Sequence, residues 1–573
     1  MIFFPRKGNV LPVFLFPLLA AAAARVLISY EWMNSPLRYY HTVDGLDMKG
    51  LLDMGEAFYK GLNTFNIYNS IVALSYYLNG ETHQVEFIVV LQFLCGCLTT
   101  LLIAYIVLKI SGSRPGAIIA GCAAGLYLPE LIYETQILKE TLYLLLACSG
   151  FAVILKARSR NFSVFAAFFA GVFAFMPSLL RVSGILAGVM LSLLFGIFIL
   201  KKFKAGVLSR RRALLVLSFY LVGAVPVIAV FSGIYLKDGP SPFLGAASYY
   251  IEKGSELSPT TLSTIENSIK KPYFFVKYPM KLRDLFGAFE ISNNMNYYFV
   301  KGKFPLGEYL PGPLLLLPLG LCGLIIMLFR HRLQRKEGLY FVYLFSYGLP
   351  ILAFVPLARY RIVLLPIFCA GAAYFIIYFL NCLRTARRQS WLGPGALVLL
   401  YIFVLWWSIP RSIPLRSEDF TVYGQAVLAR RVNMNEAELC FWRAYELNPG
   451  SRSVVICLAA ELSRKGKYPE AEAVLHSHLK ENPGDPKCTV NLAVLYNTMV
   501  RPDLAEKTLL AMSIPADPRG KTIYYYNLGV SYMLQGRKAD ADSSFKKALE
   551  TVDKSRAGLI MKAIEFNAHN KRP

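Results

Sequence analysis

Acidic residues are scarce in the first 409 positions of this chain, and several stand where a carboxylate can do chemistry. Asp44, Asp47 and Asp53 follow His41 just after the first apolar run. Carboxylates at a membrane surface can hold a divalent cation or act as a general base; a solvated acidic loop is the plainer reading. Glu130, Glu134 and Glu140 flank the ends of the third and fourth apolar runs. A carboxylate that close to hydrocarbon is costly unless it is paired or functional. Arg359-Tyr360-Arg361 stands directly before another apolar run. Two guanidinium forks there suit a phosphate, with snorkelling to lipid phosphate as the alternative. No nucleotide loop, zinc spacing or Gly-x-Ser-x-Gly elbow occurs. Cys95 and Cys97, like His476 and His478, fall on different helix faces and make poor metal pairs. Cys440, Cys457 and Cys488 read as core residues.

The elements that must position these groups are apolar. Eleven runs of membrane-spanning length lie near 10–29, 86–108, 116–133, 141–157, 162–179, 182–200, 213–236, 313–329, 339–358, 362–382 and 392–409. Of the 37 Lys and Arg in residues 1–409, 20 fall in alternate short loops, from Arg6 and Lys7 to Arg384, Arg387 and Arg388. By the positive-inside rule those loops and the N-terminus are cytoplasmic. The long loops 30–85 and 237–312, and the C-terminal tail, then lie outside. The stretch Phe14–Val26 resembles a signal-peptide core, but the loop that follows carries no mature start, so it is read as an uncleaved crossing. The formal charge of +25 therefore reports topology, and a nucleic-acid partner is excluded. Residues 410–573 hold 24 Lys and Arg and 18 Asp and Glu, about twice the charge density of the first part, and read as soluble.

The soluble part repeats. Asn448–Gly450 and Asn482–Gly484 are Asn-Pro-Gly turns 34 residues apart, the period of tetratricopeptide repeats. One copy has Leu528, Gly529, Tyr532, Ala541, Phe545 and Ala548; others use Leu492, Ala493, Tyr496, Ala505 and Leu509, and Leu458, Ala459, Leu462, Ala471 and Leu475. A degenerate first copy contributes Ala437, Phe441 and Ala444, with Gln425 at its small-residue position. Such arrays bind peptides or proteins, or act as spacers.

At these residues the chain resembles the GT-C-type, polyprenyl-phosphate-sugar-dependent glycosyltransferases, a superfamily that includes the protein O-mannosyltransferases and lipid A aminoarabinose transferases. Four segments over residues 5–385 carry the resemblance: the acidic first outer loop upstream of Ala57 and Gly61, Pro129–Glu140, Glu290–Phe299, and Ala358–Pro366. Two departures stand out: Ile67–Leu78 lacks the family's Pro-rich character, and the adjacent Asp-Glu pair of many members is absent. Apolar runs, repeat period and resemblance together give an all-α fold, a polytopic membrane helical bundle, GT-C-like, of about eleven crossings over 1–409 followed by a soluble tetratricopeptide solenoid over 410–573. The resemblance implies an inverting enzyme that moves a sugar from a polyprenyl-phosphate donor to an extracytoplasmic protein, lipid or glycan, with the repeats binding the acceptor or a partner. Asp47 would be the base, with Asp44 as the second candidate. Arg359 and Arg361 would hold the donor phosphate, while Glu130 and Glu140 orient the site or bind a divalent metal (Mg or Mn). Glu290, Asn293 and Asn294 would form the acceptor loop. A lipid-linked-glycan polymerase or ligase and a non-catalytic membrane scaffold are the alternatives.

Overall fold

The computed structural model describes residues 10–44, 46–61, 67–80, 82–156, 163–235, 273–291, 295–331, 336–353, 358–386, 392–409, 415–431 and 434–552, with short stretches between 558 and 565. All regular structure among these residues is helical. The chain divides into two compact units, Met1–Ile413 and Pro414–Pro573.

The first unit contains α1 (Leu11–Met33), α2 (Asp47–Tyr59), α3 (Ile67–Asn79), α4 (Gln84–Ser111), α5 (Arg114–Gly125), α6 (Leu128–Glu134), α7 (Glu140–Lys156), α8 (Val164–Phe175), α9 (Gly184–Lys204) and α10 (Arg210–Tyr235). It continues with α11 (Tyr273–Phe286), α12 (Tyr297–Lys301), α13 (Pro313–His331), α14 (Gly338–Ala353), α15 (Ala358–Arg361), α16 (Leu365–Ala386) and α17 (Leu392–Ser408). Six helices are long and apolar enough to cross a membrane, and the bent pair α5–α6 makes a seventh if it is one span. Three shorter apolar helices fill 164–179, 338–352 and 392–408. These helices keep apolar residues exposed, among them Leu94 and Leu98 on α4 and Leu221, Val222 and Val225 on α10. Faces of that kind belong in lipid, and the unit is that of a multi-pass membrane protein.

Local chemistry explains where the long apolar runs break. The 116–133 run bends by 48° between α5 and α6. Pro129 lacks the N–H that would continue the ladder and disfavours helical backbone before it. The freed Gly125 carbonyl instead accepts from Arg25 Nη1 at 3.4 Å, and Leu128 N–H donates to the Pro311 carbonyl at 3.0 Å. Likewise α8 tightens into a 3-10 turn over Met176–Leu179, with Pro177 at its start. Helix contact in this unit relies on small residues, as membrane packing does: Gly171 and Gly223 let the α8 and α10 backbones touch, and Gly320, Gly323 and Gly371 do so for α13 and α16.

The second unit contains α18 (Ser417–Arg430), α19 (Met434–Leu447), α20 (Arg452–Arg464), α21 (Tyr468–Glu481), α22 (Pro486–Thr498), α23 (Pro502–Leu510), α24 (Pro518–Leu534) and α25 (Lys538–Thr551). Each helix packs on the next, and α18, α20, α22 and α24 also touch in succession. Alanines line the crossings: Ala437, Ala444, Ala471, Ala505, Ala541 and Ala548 are all fully buried. A Cβ on Gly529 would come within 2.6 Å of the Phe545 ring, and one on Gly424 within 2.7 Å of the Phe441 ring. In the first helix pair, then, the small residue against the aromatic is Gly424. Gln425, one position on, instead donates to Cys457 Sγ at 3.1 Å.

Candidate functional site

The loop after α1 turns through a 3-10 segment, Pro36–Thr42, and reaches Asp44 before α2 begins at Asp47. An acid in a helix's first turn is favoured by the backbone dipole, which explains why α2 starts there. His41 is held within its own turn: its Nδ1 lies 2.8 Å from the Arg38 carbonyl, and burial pushes its pKa down. Across from α2, Leu138, Lys139 and Glu140 bridge α6 and α7. Arg181 follows the 3-10 turn after α8, and Arg359 opens the short α15.

These segments enclose one cavity of about 590 Å³. Four acids (Asp44, Asp47, Asp53, Glu140) and four bases (Lys49, Lys139, Arg181, Arg359) line it. Most are paired across it. Arg359 is ion-paired with Asp47, and its Nε lies 3.7 Å from Glu140 Oε1. Arg181 is ion-paired with Glu140 and stacks over the Tyr360 ring at 4.1 Å. Lys49 and Asp53, one turn apart on α2, are 2.5 Å apart. Glu140 is nearly buried, whereas Asp47 is 47% exposed and open to a ligand. Lys139 enters none of these pairs; burial and the Arg181 charge lower its pKa below that of an ordinary lysine. The four acids and four bases of the site balance, and Asp47 is a carboxylate that a ligand can reach.

Other residues expected at the site lie elsewhere. Arg361, two positions beyond Arg359, points away from the cavity and is 3% exposed. Its guanidinium donates to the carbonyls of Asp284 (2.9 Å), Gly287 (2.8 Å) and Phe289, and lies 3.1 Å from Glu290 Oε2. Glu290 in turn accepts from Tyr127 Oη at 3.0 Å, and its burial pushes its pKa up against the pull of Arg361. The void beside this pair is about 10 Å³, room for one water at most. Arg361 thus pins the 284–290 loop, and a phosphate could reach it only if the loop moved. Asn293 and Asn294 lie outside the described residues.

Glu130 is buried in α6, in a third place. Next to it Arg25 holds Glu134 at 2.5 Å, and Gly96 makes the room, since a Cβ there would strike both groups. Glu130 Oε1 has no hydrogen-bond partner. This cluster joins α1, α4 and α6, apart from the cavity of Asp47.

The Asp47 cavity offers a divalent ion no ready-made triad of carboxylates. No three of its carboxylates place ligand atoms within 4.8 Å of one another; among the described residues the group that does so is His478, Asp485 and Cys488, in the second unit. There Asp485 caps α22 and receives Arg452 at 2.5 Å and His478 at 3.2 Å. Burial, with the Asp485 charge adding to it, pushes the Cys488 thiol up to about 12. A protonated thiol beside an arginine-paired carboxylate reads as a helix cap, not a metal centre.

Arg181 and Lys139 were missed by sequence reasoning, and Tyr360 was read only as the link between two arginines. Arg181 had a signal: it is a lone basic residue between two apolar runs, on the side away from the clustered basic loops. Comparison with protein-family models gave no match, and comparison with the curated proteins gave none either.

Proposed function

We propose that this chain is an integral-membrane inverting glycosyltransferase that moves a sugar from a polyprenyl-phosphate donor to an acceptor outside the cytoplasm. In this reading the first unit makes eleven crossings, with the Asp47 cavity on the outer side. The second unit is a tetratricopeptide array on that same side, recruiting the acceptor or a partner. The observation that carries the reading is the cavity itself, which sets Asp47 and Glu140 against Arg359, Arg181 and Lys139 at the ends of apolar helices. The 34-residue period and the repeated Gly–Phe crossings support the repeat assignment.

The chemistry follows from the pairing. A donor phosphate competes with Asp47 for Arg359, because a guanidinium fork binds phosphate as well as carboxylate. Once the phosphate takes the guanidinium, the Asp47 carboxylate is released towards the acceptor hydroxyl. It removes the hydroxyl proton as the acceptor oxygen bonds to the sugar's anomeric carbon from the face opposite the phosphate. The carbon–oxygen bond to phosphate breaks, and Arg359, Arg181 and Lys139 stabilise the charge that grows on the departing polyprenyl phosphate. Glu140 holds both arginines in place.

Incubating the purified protein with a labelled polyprenyl-phosphate sugar tests this. The donor should be consumed and the acceptor should gain the mass of one sugar. Gain of a whole glycan would favour a polymerase or ligase, and an inert donor would favour a scaffold.

A further inference from the structure

The first unit holds a second large cavity, of about 440 Å³, at the opposite end of the helices from Asp47. The last turns of α4 and α13, the first turn of α5 and the middle of α16 form it, with the start of α14. Lys109, Arg114 and Arg384 cluster at the same helix ends, the pattern of residues at the headgroup level of a bilayer. Its deep wall is apolar, from Val107, Met327, Ala373 and Ile377. Among the described residues that line it, the charged ones are Arg330 and Glu337. The Arg330 guanidinium is oriented by a 2.6 Å hydrogen bond to Tyr378 Oη and lies 4.8 Å over that ring. Arg330 and Glu337 share the cavity without an ion pair between them.

We propose that this cavity binds a zwitterionic aminophospholipid of the phosphatidylethanolamine type. The phosphate sits on Arg330, the primary ammonium donates to Glu337, and an acyl chain lies along the apolar wall. Charge complementarity selects this occupant. Among the lining residues, an anionic headgroup would engage Arg330 alone and leave Glu337 without a partner. A choline headgroup has no N–H to donate to the carboxylate, whereas a primary ammonium has three.

Native mass spectrometry of the full chain, purified in detergent and incubated with lipids of identical acyl chains, tests the assignment. Phosphatidylethanolamine should be retained about tenfold more than phosphatidylcholine or phosphatidylglycerol, as one charge-assisted hydrogen bond warrants. Glu337→Gln should abolish that preference, and Arg330→Ala should weaken retention of all three lipids. Equal retention of phosphatidylglycerol, or an undiminished preference in Glu337→Gln, would overturn the proposal. If a variant fails to fold, competition on the wild-type chain decides: bound phosphatidylethanolamine should resist excess of either other lipid, and equal displacement would refute the site.

Discussion

Arg359 and Arg361 are two residues apart in the chain and belong to different regions of the molecule. Arg359 lies on the wall of an open cavity, paired with a half-exposed aspartate that a ligand can displace. Arg361 is sealed behind that wall, its donors taken up by three carbonyls and Glu290. Two side chains of one type, in one short motif, thus divide the work: one is placed to bind and the other holds the loop beside it. The difference is set by whether competing partners are already fixed at bonding distance, a property that no motif displays.

The contrast can be broken most severely at the buried arginine. Arg361→Ala leaves Glu290 buried without its counter-charge, and a broken buried pair costs about 3–5 kcal/mol. The variant is expected to melt far below wild type or to fail purification; a normal melt with lost donor affinity would instead put Arg361 in the binding site. Asp47→Asn should fold normally and lose about 10²–10⁴-fold in donor turnover, the usual worth of a positioned base. Unchanged turnover would move the base elsewhere, with Asp44 next to test. Arg359→Lys keeps the charge but loses the fork. The donor concentration for half-maximal rate should rise about tenfold, the equivalent of one charge-assisted hydrogen bond.

The smallest effect is expected at Lys139, whose pKa burial and Arg181 hold below the usual 10.5. Its charge is present at low pH and is lost as pH rises through that lowered value, so donor binding should weaken on the alkaline side sooner than an ordinary lysine would allow. Lys139→Arg, which does not titrate there, should move the alkaline limb upwards. An identical pH profile would exclude Lys139 from the phosphate wall.

Much of this architecture was legible in the sequence. Apolar run length and charge density separated an apolar part from a charged one, because both depend on composition over tens of residues. Asp44, Asp47, Glu140 and Arg359 were singled out from residue type and position, and the structure gathers them around one cavity. What stayed hidden was pairing. Glu130 and Glu140 look alike as acids at helix ends, yet one is buried beside Arg25 and Glu134 while the other faces Arg181. Gly424 rather than Gln425 meets Phe441, a one-residue shift that a fixed repeat spacing cannot register. Partner choice between segments more than a hundred residues apart depends on packing, and spacing within one motif carries no record of it.

The central claim is that the cavity between Asp47 and Arg359 receives the donor phosphate. Photocrosslinking with a polyprenyl-phosphate sugar that carries a photoreactive group near its phosphate tests it directly. Adducts should map to peptides containing Asp47, Lys139, Arg181 or Tyr360, and Arg359→Ala should greatly reduce them. Adducts confined to other segments, or unaffected by Arg359→Ala, would contradict the assignment.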